Sequence, residues 1–305
     1  MSAPGQRRSA PELGHGPPPC YVPPVLPWIK AAPFFFPTPI PLPFAGLEEG
    51  IPMHPFALLV MTGALASVRA ADWYARKNRL STAVVGDLTV HMLFFGFIGA
   101  AVFNTLFYFP ERLLEVAANP RHAARLFSGI SSYGGFLGGV IGSFVWRRRR
   151  QLPLLELGDA TAFAAPFGWL FGRSGCAVAH DHPGGVTNFF LGIREWDGTP
   201  YTRHDLGFYE VLWSAAVMAL LLVLVQRKRT PGFYVALVPT LYAPYRFLLD
   251  FLRIDAAQAG GDARYAGLTP AQYAAVGTMI MALMVLRHSL TEPAAELPSY
   301  ARLSA

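Results

Sequence analysis

Long apolar runs recur along this chain, at residues 55–71, 82–109, 129–146, 160–179, 206–225, 232–252 and 271–286, and no ordinary soluble fold uses so many of them. About 20 mostly apolar residues let a helix cross a bilayer core, so the recurrence predicts an all-α polytopic membrane protein of about seven transmembrane helices. The first and last runs are the shortest. Composition agrees, with 53% of residues hydrophobic and only 14% charged, against about 25% charged in a soluble domain. The net charge of +6 does not point to nucleic acid, because the basic residues cluster at 69–79, at Arg147-Arg148-Arg149-Arg150 and at Arg227-Lys228-Arg229, each next to an apolar run. That placement sets topology. It puts the N-terminus outside and the C-terminus in the cytoplasm, with the loops 180–205 and 253–270 facing outward. No internal repeat is visible, which argues against a two-fold symmetric transporter.

Residues 1–50 read as a separate proline-rich tail, holding 13 of the 27 prolines and broken at every potential helix. Arg7-Arg8 precedes no continuous apolar core, so a signal peptide is not expected. The stretch 31–44 suits an interfacial or partly re-entrant segment. Residues 51–290 form the membrane domain and 291–305 a cytoplasmic tail. Two cysteines, Cys20 and Cys176, offer no disulfide framework.

Within the uncharged run 161–178 stands one arginine, Arg173. A guanidinium at the centre of a spanning helix costs at least roughly 3 kcal/mol, so such residues face a protein interior and mark a ligand, ion or substrate path. The turn that follows, Ala179-His180-Asp181-His182-Pro183, is dense in titratable groups. In the sixth run Arg246, Asp250 and Arg253 lie four and three residues apart and share a helical face. They form either an internal ion-pair ladder or, with Arg173, a site for one anionic group such as a lipid phosphate. In the third run Ser131-Ser132-Tyr133-Gly134-Gly135, continued by Gly138, Gly139 and Gly142, has the small-residue spacing of close helix packing. Tyr133 is an interfacial anchor or a proton-transfer group. Asp87 and His91, four residues apart, read as a structural pair.

Four blocks in chain order carry a family resemblance. Gly172-Arg173-Ser174-Gly175, His204-Asp205-Leu206-Gly207-Phe208-Tyr209-Glu210, Arg246-Phe247-Leu248-Leu249-Asp250-Phe251-Leu252-Arg253, and Gly267-Leu268-Thr269-Pro270-Ala271-Gln272 resemble signatures of the prolipoprotein diacylglyceryl transferases. The likeness runs from about residue 51 to 285. It implies transfer of diacylglyceryl from phosphatidylglycerol to the lipobox cysteine thiol of an exported prolipoprotein. It also implies a bacterial inner-membrane location with the active site on the periplasmic side, and neither metal nor cofactor. The partners would be phosphatidylglycerol, the prolipoprotein signal peptide with its lipobox, and the bilayer.

Mapped onto this chain, the resemblance implies Arg173, Arg246, Tyr133, Asp181 and His180 as catalytic residues. Asp250, Arg253, Glu210, Tyr209, His204, Gly172, Gly175, Gly134 and Gly135 would bind substrate. The chain departs from the family pattern where Cys176 replaces an asparagine, Asp181 and Asp250 replace glutamates, Phe56 a tyrosine, Tyr133 a histidine and Ala101 an arginine. Two rival readings are a catalytically degenerate paralogue that binds lipid or precursor, and a membrane anion or lipid transporter. A thiol of pKa about 8.5 needs a base or a positive field, for which Tyr133, His180 and Asp181 are candidates, with His204 further off. Cys176 is a packing residue or a covalent nucleophile. The His180-Asp181-His182 cluster lacks the second ligand motif that a metal site would need.

Overall fold

The computed structural model describes residues 26–29, 32, 34–36, 51–119, 121, 126, 131–254, 261–291 and 297–302. Cys20 and most of the proline-rich tail, including most of 31–44, lie outside them. A helix occupies every expected apolar run: α1 (Pro55–Lys77), α2 (Thr82–Phe107), α4 (Ser132–Arg150), α5 (Leu154–Ala179), α6 (Leu206–Leu224), α7 (Phe233–Leu249) and α8 (Pro270–Thr291). Between α2 and α4 lies a short amphipathic helix, α3 (Glu111–Ala118). Five of these, α1, α2, α6, α7 (with the turn after it) and α8, are long and apolar enough to cross a membrane. Their outward faces carry large exposed apolar side chains such as Leu65, Leu93, Val223 and Met284. Such a surface suits lipid and not water.

The apolar pattern did not foretell a small β region. Strands β1 (Leu26–Pro27), β4 (Pro183–Val186), β5 (Ile193–Arg194) and β6 (Arg203–Asp205) form one sheet in the order β1-β5-β6-β4. A separate two-stranded sheet pairs β2 (Phe34–Phe36) with β3 (Ile51–Met53). Three strands of the first sheet, β4, β5 and β6, lie between α5 and α6 in sequence, so the expected outward loop 180–205 is structured, and the proline-rich tail contributes two strands, β1 and β2. Asp205, which closes β6, also caps α6 by accepting from the Phe208 amide at 3.1 Å.

Close glycine contacts hold α2 to α4. A side-chain carbon at Gly138 would sit 2.1 Å from the Phe95 carbonyl oxygen, and one at Gly134 would sit 2.4 Å from the Gly99 oxygen. Those backbones touch because no side chain intervenes. Asp87 adds a polar tie, although its carboxylate mainly serves α4 rather than His91. It accepts from Trp146 Nε1 and from Arg150 Nε, each at 2.8 Å. At the same end of the bundle the buried Asp159 carboxylate accepts from the amides of Gly232, Tyr234 and Val235 at 2.8–2.9 Å. It thereby satisfies donors that α7 would otherwise leave open at its start. The expected cytoplasmic tail returns to this end, where Leu297 and Ala301 join the main apolar core.

Gly138→Ala should destabilise the protein by about 1–3 kcal/mol through overpacking. Gly135→Ala, whose new carbon makes ordinary contacts with the Ala100 side chain at 3.7 Å and the Gly96 carbonyl oxygen at 3.8 Å, should stay within about 0.5 kcal/mol. Denaturant unfolding of both variants in detergent checks the pair, and equal losses would remove the glycine seam as the cause.

Candidate active site

Arg173 lies one and a half turns before the end of α5, and its charge is met from α6. Its Nη1 sits 2.9 Å from Glu210 Oε2, while its Nη2 donates to Ser132 Oγ of α4 at 3.0 Å. Arg246, on the last turn of α7, approaches the other oxygen of the same carboxylate, with Nε 3.9 Å from Glu210 Oε1. Tyr242 donates to that oxygen at 3.3 Å. Glu210 is therefore a buried carboxylate between two guanidiniums. Behind Arg246 the wholly buried Asp250 accepts hydrogen bonds from Arg246, Arg253 and the Thr269 hydroxyl. Arg253 in turn bridges to Asp262. The spacing of Arg246, Asp250 and Arg253 in sequence thus becomes a real ladder, and it aims a guanidinium inward.

The three arginines border a polar cavity of about 170 Å³, whose wall also includes Asn104, Tyr133 and His182, while Glu210 and Asp250 lie behind it. Three donors in this wall have no hydrogen-bond partner although they are buried: Asn104 Nδ2, the Tyr133 hydroxyl and Arg246 Nε. Buried polar groups nearly always find partners, and each one left open costs about 1–3 kcal/mol. Three open donors in one wall mark a place for an acceptor-rich ligand. Tyr133 also borders a second, apolar cavity of about 700 Å³ between α2, α4 and α8, lined by Phe103, Phe107, Phe136, Val140 and Met281 among others. One residue thus joins a polar chamber to an apolar groove.

Asp181 enters through its neighbour. His182 Nδ1 lies 2.5 Å from Asp181 Oδ1, and His182 Nε2 faces the cavity 3.3 Å from Arg173 Nη1. Burial pushes the Asp181 carboxyl up, but the hydrogen bond from His182, the Cys176 thiol and the Arg173 charge outweigh it and hold it below the usual carboxylate range. Cys176, Asp181 and His182 bring three donor atoms within 4.8 Å of one another. Both nitrogens of His182 already face partners and one partner is a cation, so the set suits a hydrogen-bonded relay better than a metal ion. Cys176 is buried and packs under Gly207 of α6, outside the cavity wall.

Other residues expected at the site are elsewhere. His180 ends α5 in the left-handed region (φ 51°) and turns to Asp205, with Nδ1 2.6 Å from Oδ2. Its ring stacks on Trp28 at 4.2 Å, so it fastens the N-terminal strand. His204 pairs with the Tyr209 hydroxyl at 2.8 Å within the sheet region, and burial pushes its imidazole down. Gly134 packs against α2 and Gly175 against Phe56, whereas Gly135 has ordinary contacts and Gly172 has open space beside it. Asn104 and Tyr242 are not singled out by the sequence, which marks His182 only as one member of the His180-Asp181-His182 turn. Asn104 is a lone polar residue in an apolar helix, and that was the available signal.

The fold and site together define a class: a helical membrane protein with a guanidinium-walled chamber beside an apolar groove of about 700 Å³. The chain belongs to the prolipoprotein diacylglyceryl transferase family, whose model matches residues 45–288. It is 30% identical to a phosphatidylglycerol–prolipoprotein diacylglyceryl transferase of Chromohalobacter salexigens over 68% of this chain and 78% of that one. It is 29% identical to one from Nitratidesulfovibrio vulgaris (69% and 79% covered). A third, from Clostridioides difficile, is 23% identical (69% and 83% covered).

Removing Asp250 leaves Arg246 buried without its main counter-charge, so Asp250→Ala should cost about 3–5 kcal/mol of stability. Unfolding in detergent measures it. Asp181 gives a pH signature, because its depressed carboxyl stabilises the fold above the ordinary value near 3.9 and loses that contribution as pH falls through the depressed one. The melting-temperature gap between wild type and Asp181→Asn should be full at neutral pH and shrink in acid below about pH 4.

Proposed function

We propose that this chain transfers a diacylglyceryl group from phosphatidylglycerol to the lipobox cysteine of a prolipoprotein. The observation that carries this reading is the set of three unpartnered donors, Asn104 Nδ2, Tyr133 hydroxyl and Arg246 Nε, in a cavity flanked by Arg173 and Arg253. A phosphodiester supplies the missing acceptors, and the adjoining groove takes its acyl chains. The acceptor thiol attacks the glycerol carbon next to the phosphate. A carbon–sulfur bond forms as the carbon–oxygen bond breaks, and glycerol phosphate departs. Charge grows on the phosphate as it leaves, where guanidiniums placed in advance stabilise the transition state more than the bound lipid.

Within this reading His182 is the base. Asp181 holds its Nδ1, leaving Nε2 toward the cavity, where its present neighbour Arg173 is drawn off by an arriving phosphate. Nε2 takes the thiol proton and returns it to the departing phosphate oxygen, so the reaction needs no other proton source. Tyr133 orients phosphate, and Arg173 and Arg246 stabilise it. Asp250 and Glu210 position the arginines.

All seven long helices cross the membrane in this reading, α4 and α5 included, with the N-terminus outside and the cavity toward the periplasm of a bacterial inner membrane. Support comes from the Arg147–Arg150 and Arg227–Arg229 clusters, which lie at the bundle end opposite the cavity. Exported precursors would present the lipobox on the cavity's side.

The test combines purified protein, phosphatidylglycerol micelles and a lipobox peptide, and reads the added diacylglyceryl mass. Arg173→Ala should lose about 10²–10³ in rate. His182→Ala should lose about 10²–10⁴ and regain part of it with added imidazole. No product where the Chromohalobacter salexigens relative gives product would overturn the assignment, and lipid flux across vesicles without product would favour transport. Full activity in His182→Ala would move the base elsewhere.

A further inference from the structure

At the end of the bundle away from the active site, a second polar pocket of about 300 Å³ lies between the turn after α1 and the loop joining α6 to α7. Lys77, Arg79, Arg227, Lys228 and Arg229 line it together with Tyr234, and no carboxylate is among its lining residues. None of these five cations forms an ion pair with a described carboxylate. Of the nearby acids, Glu156 acts on Lys228 from beyond ion-pair distance, and Asp159 is occupied by the amides of Gly232, Tyr234 and Val235. The C-terminal ends of α1 and α6 contribute roughly half a negative charge each. That is well short of five positive charges.

A second observation is independent of charge. Tyr234 is 1% exposed and lines the pocket, and its hydroxyl finds no acceptor: its polar neighbour is the Arg229 guanidinium, itself a donor. Two of the cations are also held in place: the Arg229 guanidinium lies 4.9 Å over the Phe233 ring with Nε donating to the Leu224 carbonyl at 3.1 Å, and Lys77 Nζ lies 5.5 Å from the Trp73 ring. Topology alone asks only that basic residues stay on one side of the membrane. It does not ask them to converge on one pocket or to leave a buried hydroxyl open.

We propose that this pocket binds a phosphate-bearing anion, the same chemistry whether it comes as the headgroup of an anionic phospholipid in the adjacent leaflet or as free phosphate. The bound anion ties the α1–α2 turn to the α6–α7 loop by cancelling their repulsion and accepting from Tyr234. A basic pocket between helices at the membrane surface is where such headgroups settle. This site does not depend on the catalytic reading, since it shares no residue with the cavity.

The test is a melting-temperature titration of the full chain in detergent with phosphatidic acid, phosphatidylcholine or inorganic phosphate. Wild type should be stabilised by phosphatidic acid and not by phosphatidylcholine. Apparent affinity should fall at least tenfold in Arg227→Gln/Arg229→Gln and several-fold in Tyr234→Phe, which keeps the ring and removes only the donor. Arg173→Ala, at the other end, should keep the response. Equal stabilisation by inorganic phosphate would identify free phosphate as the ligand, and a response to lipid alone would identify a headgroup. No stabilisation of wild type, or an undiminished response in both pocket variants, would overturn the proposal, and Tyr234→Phe keeps the test alive if the double variant fails to fold.

Discussion

The Glu210 carboxylate, 3% exposed, lies between two guanidiniums that an apolar bundle could not otherwise hold. Removing one member of such a buried set leaves a charge uncompensated, at about 3–5 kcal/mol. The arrangement therefore needs α5, α6 and α7 in one register, because each supplies a member. Asp250 extends the same logic to Arg253, Thr269 and the start of α8. The charges are balanced but the donors are not all used. Arg246 Nε reaches no acceptor within hydrogen-bond distance, Glu210 Oε1 being 3.9 Å away, and Asn104 Nδ2 and the Tyr133 hydroxyl are likewise unpartnered, which a purely structural ion-pair ladder does not require.

The rest of the bundle brings the second wall of the site into place. Glycine contacts let α4 lie directly on α2, which brings Ser132 and Tyr133 of α4 and Asn104 of α2 into one cavity wall. On the other side the short sheet fixes the turn after α5. His180 is taken up by Asp205 and Trp28, which leaves its neighbour His182 free to face Arg173. Two histidines in one turn thus have different work: one fastens the N-terminal strand, the other borders the chamber.

Much of the site was legible in the residues. Arg173 stood out because a charge in an apolar run has to be compensated, and Arg246, Asp250 and Arg253 because helical spacing places them on one face. The assignments that shifted were those in the connecting segments. His180 and His182 flank Asp181 symmetrically in sequence, and only the left-handed turn at His180 decides which ring reaches the arginine. The residues 180–205 read as a loop because runs of two to four residues leave too little alternation to mark a strand. Asp159 and Asn104, single polar residues in apolar surroundings, carried a signal of burial but none of partner.

The sequence by itself determined a helical membrane protein, the positions of its long helices and a buried arginine that needed an anion or acid. Those follow from solvation, which acts residue by residue and leaves a periodic record in the chain. Tertiary structure alone decided that Glu210 sits between Arg173 and Arg246, that His182 and not His180 faces the cavity, and that Tyr133 joins a polar chamber to an apolar groove. Such decisions depend on distances between elements far apart in the chain, and hydrogen bonds are directional over about 3 Å. No local pattern records a distance of that kind.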